Sequence, residues 1–226
     1  MDSLEGMRQL KQQGIIVDLI VTDPPYEITN TTPGGKSEFS KSIEGAFKEL
    51  QEEHLTQGIT KEYLDCMVSL QSKINIYIWC NGSQIPFYLD YFVKERKCKF
   101  DILLWNKTNA IPTFYNKYLT DKEYVLYFRK GGYCKPNSYE DAKTIYFSPI
   151  NAKDKKKYGH PTIKPLDFIK RMIRNSSKEN EIVLDPFSGS GTTALACKEL
   201  NRRFIAFEIV EKYYKISLLR LQENDQ

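Results

Sequence analysis

The sequence contains few of the residues on which several classes of protein depend. Only two of its 226 residues are histidine, and its five cysteines are odd in number and have no pair at metal-ligand spacing. These counts disfavour a metal site and a disulfide framework. Apolar stretches such as Ile15–Val21 are far shorter than the roughly 18 residues that a membrane-spanning helix needs. Glycine (12) and proline (10) are near average usage, which excludes collagen-like and disordered chains.

The residues that are present describe one globular domain. Hydrophobic residues make up 41% of the chain and aromatic residues 13%, enough for a sizeable core. A length of 226 residues fits a single domain over residues 1–226, with room for a modest insert. The first residues, MDSLEGMRQLKQQG, carry acids and glutamines where a signal peptide needs a basic start and an apolar run, so we expect a cytoplasmic protein.

Positive charge is concentrated in one part of the chain. The formal net charge is +4, but Arg129–Arg174 holds twelve Lys and Arg against four Asp and Glu, which leaves the remaining chain at −4. Clustered positive charge is the footprint of a phosphate-rich partner. A solvated lysine face is the alternative, and the charge run alone favours it.

Apolar runs and amphipathic stretches alternate along the chain, which predicts a doubly wound α/β fold. The predicted strands are Asp18–Thr22, Ile74–Cys80, Phe100–Trp105, Glu123–Phe128, Glu181–Leu184 and Phe204–Glu208. The predicted helices are Leu4–Gln12, Lys61–Gln71, Gln84–Lys97, Leu166–Asn175, Thr192–Leu200 and Glu211–Leu221. Several strands are apolar on both faces, as in a parallel sheet covered by helices on both sides. Two polar segments interrupt the alternation: a loop over residues 27–58, and residues 131–159, an irregular basic run with one short strand at Thr144–Ser148.

The strongest motif is EIVLDPFSGSGTTALACKEL, which starts at Glu181. It predicts a strand, a tight turn at Gly189 and Gly191, and a helix that Ser190, Thr192 and Thr193 can cap. Doubly wound folds bind nucleotide-like cofactors at such a turn. The lysine of a phosphate-binding Walker loop is missing, so a polyphosphate ligand is disfavoured. Glu208 follows Gly189 by 19 residues, the position of an acid that binds ribose hydroxyls in such folds.

A second motif, Asp23-Pro24-Pro25-Tyr26, directly follows the first predicted strand. Two consecutive prolines bar a helix and stiffen the backbone, so they present a carboxylate, a carbonyl and an aromatic ring in fixed relation. A Pro-Pro segment usually has only a structural role, as a turn. Its place beside a nucleoside-binding turn instead favours a catalytic role.

Together these motifs resemble the β-class of amino-methylating DNA methyltransferases, which use S-adenosylmethionine (SAM). DPPY matches the catalytic motif, DPFSGSGTT matches the SAM motif, and HPTIKP (residues 160–165) matches the segment before the helix that leads to the SAM motif. The order, with the catalytic motif first, is that of the permuted β-class. The resemblance implies a Rossmann-like, SAM-dependent methyltransferase fold with a circularly permuted motif order.

The resemblance also implies a mechanism. Asp23 and the Pro24 carbonyl accept the hydrogens of a base's exocyclic amine, Tyr26 stacks on the base after it is flipped from the duplex, and the methyl group transfers directly. For SAM, it implies Asp185 and Phe187 near the methionine, Gly189 near the sugar, Glu208 on the ribose and Asp2 near the adenine. We also assign Ser188, Ser190, Gly191, Thr192, His160 and Thr162 to cofactor binding, with Lys164 as a further candidate. His160 has an alternative role as part of a His-Pro turn.

Double-stranded DNA is the partner that the resemblance implies. Residues 131–159 lie where the class has its target-recognition region, and Lys153, Lys155, Lys156 and Lys157 suit phosphate contacts. The resemblance also allows a homodimer and a companion restriction endonuclease. Adenine N6 at a specific sequence is the expected target, because many enzymes that methylate cytosine N4 carry Ser in place of the first Asp. Cytosine N4, RNA, and a non-catalytic SAM- or DNA-binding subunit remain alternatives.

One departure from the class concerns the start of the sequence. Typical members have a strand before the acid that matches Asp2, whereas this sequence begins at Met1. We expect either that one strand of the sheet is absent or that the natural chain starts upstream.

Overall fold

Two hydrophobic clusters pack against opposite faces of one central sheet. Successive strand residues alternate between them: Ile76 and Ile78 belong to one cluster, and Tyr77 and Trp79 to the other. The structure is a computed structural model that describes residues 1–27, 56–112, 116, 118–159 and 162–223. Because helices supply the outer side of both clusters, the expectation of a doubly wound, Rossmann-like α/β fold is confirmed.

Seven strands and eight α-helices make up the described part of the chain. The strands are β1 (Leu19–Thr22), β2 (Ile74–Cys80), β3 (Lys99–Lys107), β4 (Lys122–Lys130), β5 (Ile145–Ser148), β6 (Ile182–Asp185) and β7 (Arg203–Ala206). The helices are α1 (Ser3–Gln12), α2 (Lys61–Ser69), α3 (Ile85–Leu89), α4 (Tyr139–Ala142), α5 (Ala152–Tyr158), α6 (Leu166–Ser176), α7 (Thr192–Glu199) and α8 (Glu211–Glu223). A π-helix, Asp90–Glu95, continues α3 within the predicted helix Gln84–Lys97. No helix among these residues is long and apolar enough to cross a bilayer.

The strand order is β5-β3-β4-β2-β1-β6-β7, and one strand corrects the expectation of a parallel sheet. β4 runs antiparallel to both of its neighbours, β2 and β3, while the other pairs are parallel. No helix is found in the described residues between β3 and β4. A parallel connection needs a crossover, usually a helix, whereas a chain that returns directly pairs antiparallel.

The reversed direction of β4 decides which of its residues reach the functional edge of the sheet. Its first residues lie beside the carboxyl end of β2, with Tyr124 opposite Cys80. Glu123 pairs with Trp105 near the carboxyl end of β3. The amino end of β4 therefore meets the carboxyl ends of the parallel strands.

Residues 131–159 are more regular than the sequence predicts. The short strand is confirmed as β5, which joins the sheet edge beside β3, but the expectation of an otherwise irregular run is wrong. Two short helices form there because Ser138 caps α4 and Asn151 caps α5, each accepting a bond from a backbone N–H. Most of the predicted loop over residues 27–58, namely residues 28–55, lies outside the residues that the structure describes. At its ends, Glu27 and Gln57 form an isolated antiparallel bridge.

Gly132 marks a close approach between the end of β4 and β2. A Cβ at this position would lie 2.7 Å from the Ile74 carbonyl oxygen and 2.8 Å from the Cβ of Asn75. The approach lets the Tyr133 carbonyl accept hydrogen bonds from Asn75 Nδ2 and the Tyr127 hydroxyl, both at 3.2 Å. The chain can leave the sheet here only because residue 132 has no side chain.

Gly132→Ala is therefore expected to lower the free energy of unfolding by about 1–3 kcal/mol, the usual cost of overpacking. Gly82→Ala is the matched control, because the nearest atom to its Cβ would be 3.8 Å away, an ordinary contact. We expect the control to stay within about 0.5 kcal/mol of the parent. Urea unfolding of both variants measures the difference, and equal effects would contradict the close approach.

Candidate active site

A cavity of about 510 Å³ opens at the carboxyl edge of the sheet and joins the two sequence motifs. β1 pairs directly with β6, so Asp23, which follows β1, and Asp185, the last residue of β6, lie at the same edge. The turn between β6 and α7 forms one side of the cavity, and the DPPY segment forms another. Strand adjacency alone thus brings together segments 160 residues apart in sequence.

Most of the predicted site residues line this cavity. They are Asp2, Asp23, Pro24, Pro25, Tyr26, Thr162, Asp185, Phe187, Ser188, Gly189, Ser190, Thr192 and Glu208. Gly191 is not among the lining residues. His160 lies outside the described residues.

The turn after β6 depends on two glycines in the left-handed region. Gly189 has φ 51° and Gly191 has φ 77°. Gly191 is the N-cap of α7 and no side chain caps the helix, so the expectation of capping by Ser190, Thr192 and Thr193 is wrong. A Cβ at Gly191 would lie 2.7 Å from the Cβ of Ser217, which shows that this glycine is needed for packing against α8.

A buried arginine on α8 holds the same turn from behind. Arg220 donates to the carbonyl oxygen of Ser190 at 2.7 Å and to the hydroxyls of Ser190 and Thr192, both at 2.9 Å. These charge-assisted bonds tie the turn to a helix that is distant in sequence.

Two acidic side chains at the cavity wall organise backbone around it. Glu208 accepts hydrogen bonds from Gly189 N at 2.7 Å and Val210 N at 2.8 Å, so it joins the chain after β7 to the turn. Asp2 caps α1 by accepting bonds from Leu4 N and Glu5 N, both at 3.0 Å. Each carboxylate keeps unused acceptor positions that a ligand can occupy.

Asp185 lies deeper in the cavity wall and is 4% exposed. Burial raises the pKa of its carboxyl group to about 7, against the opposing effect of the Thr193 hydroxyl and the Phe187 N–H. The Phe187 N–H donates to Oδ1 of Asp185 at 3.1 Å. A cationic ligand group would return this carboxyl to its charged form.

Asp23 lines the cavity with 25% of its side chain exposed. Its Oδ2 atom lies 3.0 Å from the ammonium of Lys164, and its Oδ1 atom accepts no hydrogen bond from the described residues. Burial raises the pKa of Asp23 above its ordinary value, and the Lys164 charge opposes that rise. The carboxylate thus has one neighbouring cation and spare acceptor capacity.

Lys164, Glu123 and Lys107 form a largely buried charge cluster, of which sequence reasoning had named only Lys164. Lys164 Nζ contacts Glu123 Oε2 at 2.7 Å, and Lys107 Nζ contacts Glu123 Oε1 at 2.7 Å. Burial raises the pKa of Glu123, but the two ammonium groups outweigh burial and hold it at about 2. HPTIKP pointed to Lys164 as a candidate for orienting SAM; the structure places it against Asp23. No sequence signal singled out Glu123 or Lys107.

The four lysines predicted to contact DNA do not share one environment. Lys153 and Lys156 are exposed on α5. Lys157 forms a 2.6 Å ion pair with Glu223 of α8. Lys155 is half-buried and faces Glu123, and burial lowers the pKa of its ammonium group. α5 thus lies next to the charge cluster.

Comparisons with known proteins agree with this geometry. Residues 17–219 match the N6_N4_Mtase family, described as DNA methylase. The type II methyltransferase M2.LlaDCHI of Lactococcus lactis subsp. cremoris is 30% identical, over 98% of this chain and 87% of the relative. The type II methyltransferase M2.MboI of Moraxella bovis is also 30% identical, over 92% of this chain and 81% of the relative.

Solved structures extend the similarity to three dimensions. The crystal structure of the M1.HpyAVI–SAM complex superposes with a TM-score of 0.72 at 28% identity, covering 98% of this chain and 97% of that one. The cytosine-N4-specific PvuII DNA methyltransferase superposes with a TM-score of 0.70 at 16% identity, covering 100% and 86%, which shows the shared fold. With the DPPY and DPFSGSGTT motifs at one cavity and a family match over most of its length, the chain belongs to the N6/N4 family of DNA methylases.

Proposed function

We propose that this protein methylates the exocyclic N6 of adenine in double-stranded DNA at a specific sequence, with SAM as the methyl donor. The observation that carries the proposal is the Asp23 carboxylate, which lies at the wall of the cofactor cavity, is paired with a buried ammonium, and belongs to an intact DPPY motif. A carboxylate held in this way can accept hydrogens of an amine that is brought to the cavity.

The cavity fits a cationic nucleoside such as SAM. Its volume of about 510 Å³ lies within the usual range for ligand sites. Asp185 offers negative charge to the cationic methionine end, Asp2 and Glu208 offer hydrogen-bond acceptors to the adenine and the ribose, and Phe187 offers an apolar face. SAM, when bound, supplies an electrophilic methyl group on a sulfonium centre.

The residues of the DPPY segment act on the substrate amine. An exocyclic amine is a weak nucleophile because its lone pair is delocalised into the ring. When Asp23 and the Pro24 carbonyl accept hydrogen bonds from its two N–H groups, the nitrogen moves toward a tetrahedral geometry and its lone pair becomes available. Attack of this nitrogen on the methyl carbon would form the N–C bond as the C–S bond to the sulfonium breaks, and the bond electrons would stay on sulfur as a neutral thioether. The proton that the nitrogen loses would pass to the Asp23 carboxylate and on to solvent, so no covalent enzyme intermediate is needed.

Tyr26 is positioned to receive a flipped base. Its ring lies at the cavity wall, and its hydroxyl accepts a hydrogen bond from Lys164 at 3.2 Å. Extruding a base costs about a few kcal/mol, and stacking on an aromatic ring returns roughly 1–3 kcal/mol. Anchoring the hydroxyl fixes the ring, so less conformational entropy is lost when a base stacks on it.

Adenine is the target that residue 23 favours. The buried ammonium of Lys164 lies 3.0 Å from the Asp23 carboxylate and serves as its counterion. Adenine-directed members carry an acid at this position. A serine, as in many cytosine-N4 members, would not need such a counterion. A cytoplasmic location, a homodimer and a companion restriction endonuclease all stay predictions.

DNA contact is proposed for the exposed lysines of α5, Lys153 and Lys156. Residues 131–159 also carry exposed aromatic side chains, such as Phe147 and Tyr139, that suit stacking on bases. Lys155 and Lys157 contact protein groups, so we assign them a smaller contribution to DNA binding.

Product analysis tests the proposal directly. The protein is incubated with SAM and unmethylated plasmid DNA, and the digested nucleosides are identified by mass spectrometry. We expect N6-methyladenine. N4-methylcytosine would overturn the adenine assignment and leave the family unchanged, whereas methylation of RNA alone would overturn the DNA assignment.

Asp23→Ala is expected to lower the methylation rate at least about 1,000-fold, because the amine loses its acceptor in a desolvated site. SAM binding, followed as a rise in Tm, should remain. Retained methylation would contradict a catalytic role for Asp23 and would favour a non-catalytic supporting subunit.

Asp185→Asn is expected to weaken SAM binding and raise stability at high pH. The folded pKa of Asp185, about 7, lies above its unfolded value, so the folded state binds the extra proton and stability falls as pH rises from about 4 to 7. Removing this group should stabilise the protein at pH 8 by up to about 4 kcal/mol. Thermal unfolding at pH 5 and pH 8, with and without SAM, measures both effects; an equal SAM-induced rise in Tm for parent and variant would contradict the binding role.

The double variant Lys153→Gln, Lys156→Gln tests the DNA surface. Each phosphate contact contributes about 0.9 to the slope of log K against log salt, so we expect the slope to fall by up to about 1.8. The matched control is Lys94→Gln, Lys215→Gln, which removes two exposed lysines elsewhere. Fluorescence anisotropy with duplex DNA at several salt concentrations makes the measurement, and equal slopes for the two double variants would rule out α5 as the contact.

A further inference from the structure

We propose that Lys164 is a positioning residue for methyl transfer: supported by Glu123, it holds the Asp23 carboxylate ionised and oriented toward the target amine. The inference rests on the proposed catalytic role of Asp23. Neither Lys164 nor Glu123 needs to touch the reacting atoms, because both act through Asp23.

The hydrogen bonds of Lys164 define its role. An ammonium has three donors. Lys164 Nζ has three acceptors around it: Asp23 Oδ2 at 3.0 Å, Glu123 Oε2 at 2.7 Å and the Tyr26 hydroxyl at 3.2 Å. All its donors are therefore directed at the catalytic motif and at the acid behind it, and they fix the carboxylate and the stacking ring in one relation.

Burial makes these contacts obligatory. The Lys164 side chain is 8% exposed, and its ammonium lies over the rings of Trp79 at 4.8 Å and Tyr26 at 5.2 Å. Burying a charge without partners is costly, so the two carboxylates must stay close to Lys164. Because Glu123 also binds Lys107, its charge is compensated from two sides, and Lys164 remains available to Asp23.

The charge on Asp23 is set by neighbours on several elements. The titratable groups that face it are Lys164 before α6, Glu123 on β4, Tyr26, Cys80 on β2, Tyr88 on α3 and Asp185 on β6. Lys164 is the only cation in this set of described residues. Its removal should favour protonated Asp23, which is a weaker hydrogen-bond acceptor for the amine than the carboxylate.

Two substitutions should move the pH profile in opposite directions. In Lys164→Met the side chain keeps most of its volume but the cation is lost, so Asp23 should ionise only at higher pH. In Glu123→Gln the second carboxylate is lost, so Asp23 keeps Lys164 to itself and should ionise at lower pH. Lys164→Arg keeps the charge but changes the donor geometry, so its pH profile should match the parent while its rate falls.

The experiment measures single-turnover methylation of plasmid DNA at saturating SAM between about pH 5.5 and pH 9. For Lys164→Met we expect a rate loss of about 100-fold near pH 7, an acid limb moved to higher pH, and partial recovery in alkali. For Glu123→Gln we expect a smaller loss and an acid limb moved to lower pH. The rise in Tm on SAM addition should match the parent in both, because the Lys164 ammonium is directed at Asp23, Glu123 and Tyr26 and Glu123 is not among the residues that line the cavity.

Lys94→Met is the matched surface control, since Lys94 is exposed and lies outside the site. Acid limbs that stay in place, or that move in the same direction in Lys164→Met and Glu123→Gln, would overturn the proposal. Lower thermal stability with an unchanged pH profile would show that Lys164 is only structural. If Lys164→Met fails to fold, Glu123→Gln and Lys164→Arg still decide the question. Full activity of Asp23→Ala would instead remove the proposed function itself.

Discussion

The ammonium group of Lys164 is buried, and the groups around it in the candidate active site compensate its charge. A cation this far from solvent must be compensated, and the acceptors that compensate it are the Asp23 carboxylate, the Tyr26 hydroxyl and the Glu123 carboxylate. Glu123 in turn needs Lys107. The charges therefore form a connected set in which moving one member leaves another with fewer partners.

The second organising feature is the direction of β4. Had this strand run parallel to β2, its first residues would have lain at the opposite edge of the sheet from the cavity. Because it returns antiparallel, Glu123 enters the site from the amino end of its strand, while Asp23 and Asp185 come from carboxyl ends. One reversed strand thus brings Glu123 to the Lys164 ammonium, which contacts Asp23 at the end of another strand.

The cofactor side of the cavity is held by α8. Gly191 allows this helix to approach the turn, and Arg220 bonds the turn from behind. The guanidinium of Arg220 also lies 5.4 Å from the ring centre of Tyr158 at the end of α5, the helix proposed to contact DNA. The same buried arginine therefore contacts both the turn after β6 and a residue of α5.

The sequence by itself determined the fold class, the six main strands and the two motifs, because each depends on local information: apolar periodicity, tight glycine turns, and a Pro-Pro segment after a strand. It also predicted that the motifs meet, since carboxyl ends of parallel strands share an edge. Only the tertiary structure decided that Glu123 and Lys107 belong to the site, that Lys164 binds Asp23, and that Lys155 and Lys157 face protein groups. These depend on strand direction and on contacts between residues far apart in the chain, such as Lys164 and Glu123, and no local pattern records such a contact.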